Sequence, residues 1–216
     1  VVECEKCGLG YVNPRPTVQE LAKYYPKSFY QYFEQSSHEK RYAIEASYLN
    51  GTNISNKRLL DIGCANGDFP RYMRKLGWEV EGVETSCNSK LISDFRVYYI
   101  DFTQIPLNEP RYDAITAWAV LEHVHDPMGY FRKASKVLKK DGTFVFLVTN
   151  FNSISSRYLF REDVPRHLYF FTEDTIKLYL KANNFELLKI DYSNKIYSMF
   201  PVNWLRYYFY RLLGKE

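Results

Sequence analysis

The stretch Leu59-Leu60-Asp61-Ile62-Gly63-Cys64-Ala65-Asn66-Gly67-Asp68-Phe69 sets the terms for the whole chain. A short apolar strand runs into a glycine turn that opens onto a helix, the form a nucleotide-type cofactor site takes at the end of a parallel strand. Gly63 lets the chain turn where a side chain would block a ligand, and Gly67 lets backbone pass close to it. After Trp78 a second strand pattern, Val80-Glu81-Gly82-Val83-Glu84, ends on a carboxylate. That acid falls about 20 residues past the turn, where dinucleotide folds keep their ribose-binding acid. A lone glycine pair says little, and a lone Glu at a strand end is usually a solvated cap. Their pairing carries the argument.

From Arg58 to Asn150 strand and helix patterns alternate, which favours a parallel sheet with helices on both faces. The first helix is expected from about Asp68 to Leu76, ended by Gly77, and another around Ser86 to Asp94. A third strand, Val97 to Ile100, precedes Asp101-Phe102, and a fourth, Tyr112 to Val120, delivers Leu121-Glu122-His123-Val124-His125-Asp126-Pro127 to the carboxyl edge. Asp126-Pro127 starts the next helix, which Leu138 to Gly142 closes. Thr143 to Val148 is almost continuously apolar, the pattern of a strand buried on both faces. Thr172-Glu173-Asp174 opens a further helix with Ile176, Leu178, Tyr179 and Leu180 on its apolar side, and Phe185 to Tyr192 reads as a strand.

The run from Leu59 to Glu84, with the strand ending at Asp101-Phe102, resembles the cofactor-binding half of class I S-adenosylmethionine-dependent methyltransferases. The resemblance implies an α/β fold, a Rossmann-like parallel sheet sandwiched by helices. Residues 1–50 would form a zinc-knuckle remnant and helical cover, and 51–216 the methyltransferase domain, in a single domain overall. It also implies roles for single residues. Asp61, Gly63, Cys64, Ala65 and Gly67 would lie along the methionine part of the cofactor. Glu84, followed by Thr85, would take both ribose hydroxyls, Asp101 would meet the adenine amine with Phe102 against the ring, and Trp118 would complete the pocket. The implied cofactor is S-adenosylmethionine, with S-adenosylhomocysteine as its product.

Two short segments carry the expected chemistry. Glu122-His123 follows the fourth strand, and Pro165-Arg166-His167-Leu168 lies in a loop of about 20 residues, long enough in a compact domain to suggest function. Relatives of the same group carry both a Glu-His and a Pro-Arg-His-Leu before a Phe-Thr helix start, here Phe171-Thr172. Methyl transfer from a sulfonium is an in-line displacement, so the protein mainly aligns the acceptor and takes its proton. His123 or His167 is then the base, and Arg166 the fork that holds an acidic or phosphate-bearing acceptor. Against these stand a cofactor-side hydrogen bond for His123 and a loop-pinning bond to a carbonyl for His167. Ubiquinone-type O-methyltransferases of similar pattern have a further Glu, associated with a divalent metal, where this chain has Ala119. That departure argues for no metal and weighs against a quinone-precursor acceptor. His125 is expected on the solvent side of the turn.

Charge and composition narrow the classes. With 29 basic and 25 acidic residues the net charge is only +4, and no basic run forms a stripe for a phosphate backbone, so nucleic acid is not an expected partner. The 20 Tyr and 15 Phe exceed what one core would bury, so some should face a ligand, a lid or a partner. No apolar run reaches the roughly 18 residues of a membrane span, and the first residues do not resemble a signal peptide. A soluble, cytoplasmic protein is expected.

Cys4-Glu5-Lys6-Cys7 has zinc-knuckle spacing, but a structural site needs four ligands, and Cys64 and Cys87 lie far off. Methyltransferases of the group resembled often begin with two such pairs followed by a segment like Asn13-Pro14-Arg15-Pro16, implying a first pair N-terminal to Val1. On ligand count the pair present reads as two free thiols. Thr17-Val18-Gln19-Glu20 fits a capping box for a short helix ended by Pro26. The aromatic residues Tyr30, Tyr32 and Phe33, then Tyr42 and Tyr48, form either a flap over the cofactor or a helix packed on the sheet. Asn50 to Asn53 is a polar turn. The aromatic tail from Ser198 to Glu216 would pack on the domain, pair two copies into a homodimer, or rest on a membrane surface.

The expected function is methyl transfer to a small-molecule acceptor, a hydroxyl of a sugar, quinone-like or secondary-metabolite precursor. A cofactor-binding module without turnover is the alternative. A nicotinamide dehydrogenase is a weaker one, because the glycine turn lacks the third glycine of its fingerprint.

Overall fold

The computed structural model describes residues 1–26, 38–49, 57–86, 94–153, 163–193 and 195–196. The aromatic segment at Tyr30 to Phe33, the turn at 50–53, the body of the helix expected at 86–94, Cys87 and the tail at 198–216 lie outside them.

Five strands, β3 (Arg58–Ile62), β4 (Glu79–Val83), β5 (Arg96–Tyr98), β6 (Tyr112–Trp118) and β7 (Leu138–Leu147), form one parallel sheet in the order β5-β4-β3-β6-β7. Alternation of side chains across each strand loads both faces. Leu60, Ile62, Val83, Ile115 and Ala117 point into one core, while Leu59, Val80 and Ala114 point into the other. Helices α2 (Glu39–Ser47) and α3 (Asp68–Lys75) cover the second core through Tyr42, Ala46, Phe69 and Met73. Helices α4 (Pro127–Val137) and α5 (Glu173–Ala182) cover the first through Phe131, Ala134, Ile176 and Leu180. The expected sandwich is therefore formed.

Local chemistry sets the helix starts. The Thr17 and Glu20 side chains close a capping box on α1 (Val18–Leu21), which continues as a single 3-10 turn to Tyr24. Asp126 accepts from the Gly129 amide at 2.9 Å, with Pro127 in the first turn of α4. Helix α5 shows why Leu178 does not belong to its apolar side. Ile176 and Leu180 are buried one turn apart, whereas Leu178, two positions on from Ile176, is 49% exposed.

Three expectations for the carboxyl half are corrected. Helix α4 ends at Val137 as the closing segment implies, but Leu138 to Gly142 are already part of β7 rather than a turn before it, with a register shift between Tyr112 and Ala114. Strand β7 is half-buried rather than buried on both faces, and among the described residues it pairs with β6 alone. Residues 185–192 form no strand. Phe185 turns its ring onto the Phe131 and Phe144 cluster while Leu188 stands 73% exposed, so this segment offers no alternating face to the sheet.

A second sheet is antiparallel, in the order β1 (Val2–Glu3), β2 (Gly10–Tyr11), β8 (Tyr169–Phe170). The Cys4–Gly8 turn joins its first two strands, and Cys4 and Cys7 are free thiols there. Amides of Lys6 and Cys7 directed at the Cys4 sulfur lower its pKa below the ordinary thiol value. Strand β8 follows directly on the Pro-Arg-His-Leu segment, so the N-terminal hairpin and the candidate site share one small sheet. No helix among the described residues is long and apolar enough to cross a membrane.

Two substitutions test this framework. Phe131 is fully buried, with the rings of Phe144, Phe146, Tyr179 and Phe185 at 5.3–6.4 Å. Phe131→Ala is expected to cost about 3–5 kcal/mol of unfolding free energy in a denaturant titration. Gly63 has φ +72°, and a Cβ there would meet Val120 Cγ2 at 2.5 Å. Gly63→Ala should lower stability by about 2–4 kcal/mol, combining left-handed strain with overpacking, and a loss under 0.5 kcal/mol would contradict this geometry.

Candidate functional site

The carboxyl ends of β3, β4 and β6 open into a long cleft, at the point in the sheet where strand order reverses. Asp61, Gly63, Cys64, Ala65, Glu84, Thr85, Asp101 and Trp118 all line it. Gly67 caps α3 in a left-handed conformation, φ +80°, and closes the turn by donating to the Cys64 carbonyl at 2.8 Å. Ala65 takes a positive φ of 47° although it carries a side chain. Opposite the turn, a Cβ on Gly82 would lie 2.7 Å from the Cys64 sulfur, so the glycine of β4 admits the loop of β3.

Glu84 links the two loops. One of its carboxylate oxygens accepts from the Ala65 amide at 2.9 Å and the other from the Ser86 amide at 2.8 Å. Burial raises its pKa, and the amides of Ser86 and Ala65 oppose that rise. Asp61 sits deeper, where burial raises it to about 7 while Thr116 donates to it at 2.6 Å. Asp101 accepts from the Thr103 amide at 2.8 Å and from the Tyr130 hydroxyl at 3.0 Å.

Phe102 departs from expectation. It is fully buried against Tyr130 at 5.4 Å and does not border the cleft, because the 3-10 turn that Asp101 caps rotates it into the core. Ile100 and Gln104 line the cleft there instead.

Helix α2 brings a pair that sequence reading did not single out. Arg41 and Glu45 line the cleft beside Asp61, with Arg41 Nε 3.3 Å from Glu45. Glu45 is only 1% exposed, and burial raises its pKa to about 8. Their spacing of four residues on a helix was the available signal.

At the end of β6 the fold joins the two segments expected to carry chemistry. Amides of Leu168 and Tyr169 donate to the Glu122 carbonyl at 2.7 and 3.2 Å, which holds the Pro-Arg-His-Leu segment against the Glu122 turn. The rings of His123 and His167 meet edge to face at 4.5 Å. His123 Nδ1 lies 3.0 Å from the Arg166 carbonyl and 2.9 Å from the Tyr25 hydroxyl. A carbonyl only accepts, so Nδ1 carries the proton. The carbonyl-pinning bond weighed as the alternative role of His167 is thus made by His123. Burial first, and then the neighbouring His167, drop the His123 pKa to about 3.

His167 turns Nε2 toward the Asp163 carboxylate at 3.5 Å, and its Nδ1 is buried without a hydrogen-bond partner among the described residues. Glu122 is fully buried, and neither carboxylate oxygen finds a partner there. That burial raises its pKa to about 8, against the field of the nearby Glu122 and Thr149 amides. Arg166 pairs with Asp163 inside its own loop. His125, expected toward solvent, is half-buried with Nε2 2.9 Å from the Pro16 carbonyl. Arg15 donates to the His125 carbonyl at 3.0 Å and also to the Tyr169 hydroxyl, so the N-terminal segment is fastened across this end of the cleft.

A family model described as a methyltransferase domain matches residues 32–190. The ubiquinone biosynthesis O-methyltransferase of Alkalilimnicola ehrlichii is 32% identical over 117 residues, covering 50% of this chain and 47% of that protein. The enzyme of the same name from a Bradyrhizobium species is 31% identical over 170 residues, covering 70% of this chain and 66% of its own length. The chain therefore spans about half to two thirds of the length of these curated relatives.

Among solved structures, a SAM dependent methyltransferase from Archaeoglobus fulgidus superposes with a TM-score of 0.63 at 21% identity, covering 87% of this chain and 93% of that one. Phosphoethanolamine N-methyltransferase 2 of Haemonchus contortus, solved with S-adenosyl-L-methionine, gives 0.54 at 20% identity, covering 65% and 36%. At these identities the likeness is one of fold. The family match spans most of the chain and coincides with the parallel sheet and its cleft: the chain belongs to the methyltransferase-domain family.

Proposed function

We propose that this chain transfers a methyl group from S-adenosylmethionine to a hydroxyl of a small-molecule acceptor. The observation that carries the reading is the buried Glu84 carboxylate at the end of β4, hydrogen-bonded to the glycine turn at the edge of the cleft. A carboxylate so placed suits a pair of vicinal ribose hydroxyls, which donate to it while it keeps its two amide bonds. Asp101 and Ile100 stand past the end of β5, where a nucleobase would lie, and Trp118 lines the cleft at the end of β6. Arg41 and Glu45 line the cleft near the turn, a guanidinium beside a buried carboxyl group, and Arg41 suits the carboxylate of an amino-acid tail. These residues fit the nucleoside and the amino-acid end together. Bound there, S-adenosylmethionine supplies a methyl group already activated by a sulfonium.

The remaining work belongs to side chains of the chain itself. Glu122, His123 and His167 line the same cleft, and the acceptor's hydroxyl is oriented and loses its proton among them. His123 acts by position, because its Nδ1 is committed to the Arg166 carbonyl. Arg166, paired with Asp163, borders the acceptor side and would meet an acidic group by exchanging that partner. The names of the curated relatives support a hydroxylated, quinone-like acceptor within this class. A nicotinamide cofactor fits less well, because Asp68 occupies the place of the third glycine in a dinucleotide fingerprint.

Calorimetric titration with S-adenosylmethionine, S-adenosylhomocysteine and NAD tests the reading. The first two are expected to bind and NAD not to. Glu84→Ala should weaken S-adenosylmethionine binding by about 10-fold to 100-fold, the value of hydrogen bonds to a charged group of about 1.5–3 kcal/mol. Preference for NAD, or an unchanged affinity in Glu84→Ala, would overturn the assignment. Mass spectrometry of phenolic and sugar acceptors incubated with enzyme and donor separates an active enzyme from a binding module without turnover.

A further inference from the structure

Glu122, His123 and His167 each offer one ligand atom within 4.8 Å of the other two, at the wall of the acceptor side of the cleft. Two features set this cluster apart from ordinary buried polar residues. Both Glu122 oxygens and His167 Nδ1 are buried with no hydrogen-bond partner among the described residues, an arrangement that costs folding free energy unless something fills it. The imidazoles are also turned the way metal-bound histidines are. His123 gives its Nδ1 proton to the Arg166 carbonyl and keeps a lone pair on Nε2. His167 faces the Asp163 carboxylate through Nε2 and keeps a lone pair on Nδ1. A carbonyl or carboxylate behind each ring fixes tautomer and orientation, which is how outer partners support metal ligands.

We propose that Glu122, His123 and His167 bind one divalent transition-metal ion, which in turn holds the oxygen of the acceptor's hydroxyl. Two ring nitrogens and one carboxylate suit zinc, iron(II), manganese or cobalt, whereas magnesium and calcium prefer all-oxygen shells. Zinc-ligand bonds of about 2.0–2.2 Å would draw the three donors together by small side-chain adjustments from their present spacing. Ala119, which also borders the cleft, offers no ligand, so the remaining positions are left to water and acceptor. The third ligand was hidden from the sequence because it comes from the Pro-Arg-His-Leu segment, which the two amide bonds to the Glu122 carbonyl bring alongside.

The part the ion plays in catalysis rests on the methyl-transfer reading; the binding of the ion does not. As a Lewis acid it would weaken the acceptor O–H bond, whose proton leaves to water while the electron pair stays on the oxygen. The ion keeps its oxidation state throughout. The oxygen would then attack the methyl carbon, forming the O–C bond as the sulfonium S–C bond breaks and S-adenosylhomocysteine leaves as a neutral thioether.

The test uses the full chain in a Cys4→Ser, Cys7→Ser background, so that thiolates do not report. Zinc is titrated by calorimetry and cobalt(II) by its visible d–d absorption. One equivalent of each is expected to bind, and zinc should raise the thermal midpoint. Glu122→Gln and His167→Asn should each weaken binding at least about 100-fold with an unchanged circular dichroism spectrum. Wild-type protein stripped by a chelator should lose turnover while its S-adenosylmethionine affinity stays within 2-fold (roughly 0.4 kcal/mol). Absence of stoichiometric binding, or binding that survives both substitutions, would overturn the metal site. Failure of S-adenosylmethionine to bind would instead remove the methyl-transfer reading and leave the ion in place.

Discussion

One carboxylate holds the cleft in shape. Glu84 reaches from the end of β4 to the amide of Ala65 in the turn after β3, and at the same time to the amide of Ser86. Between those bonds the turn passes through left-handed conformations at Gly63, Ala65 and Gly67, free of steric cost for the glycines but strained at Ala65, whose amide Glu84 holds. Val120 packs on Gly63 with no room for a Cβ, and Cys64 fills the space left by Gly82. The turn is thus held from three strands at once. What faces a ligand here is backbone and carboxylate already in place, and a preformed site spends less binding energy on ordering itself.

Around that turn the cleft collects buried acids at unusual density. Asp61, Glu45, Glu84 and Glu122 are all nearly inaccessible, and burial raises every one of them. Buried acids elsewhere in the fold behave differently. Glu81 is surrounded by Arg111, Tyr98 and Tyr112 at 2.6–3.0 Å, and those donors hold its pKa below the ordinary carboxylate value despite burial. The sheet therefore rings its structural acid with donors, while in the cleft Glu84 keeps two amides, Asp61 one hydroxyl, and Glu122 no donor among the described residues. Groups left short of donors in a cleft are where hydroxyls, an ammonium or a cation find their best exchange for water.

How much of this the sequence reveals follows from the range of each interaction. Glycine turn, acid after the second strand and Asp-Pro helix start are local patterns, and they sit where the spacing puts them. The capping box of Thr17 and Glu20 is legible for the same reason. Phe102 is not, because whether a residue after a strand faces ligand or core depends on the 3-10 turn that Asp101 caps. The strand expected at 185–192 fails because alternation is necessary but not sufficient. A strand also needs a neighbour, and Leu188 points its side chain at solvent instead. Nor does the sequence show that the Cys4–Gly8 hairpin shares a sheet with the segment before α5, since that pairing joins opposite ends of the chain.

The junction at Glu122 is the largest thing that spacing conceals. Its carbonyl takes two amides from the loop, its neighbour His123 takes a loop carbonyl, and the Tyr25 hydroxyl arrives from the N-terminal segment. Arg15 and His125 fasten that same segment to the same turn, and Tyr169 shares in the contact from β8. Three stretches remote in sequence therefore converge on two consecutive residues. The loop or the N-terminal segment can then change without disturbing Gly63 or Glu84, because the two ends of the cleft are held by separate sets of bonds. That division explains why the sequence speaks plainly about the glycine-turn end of the cleft and says so little about the other.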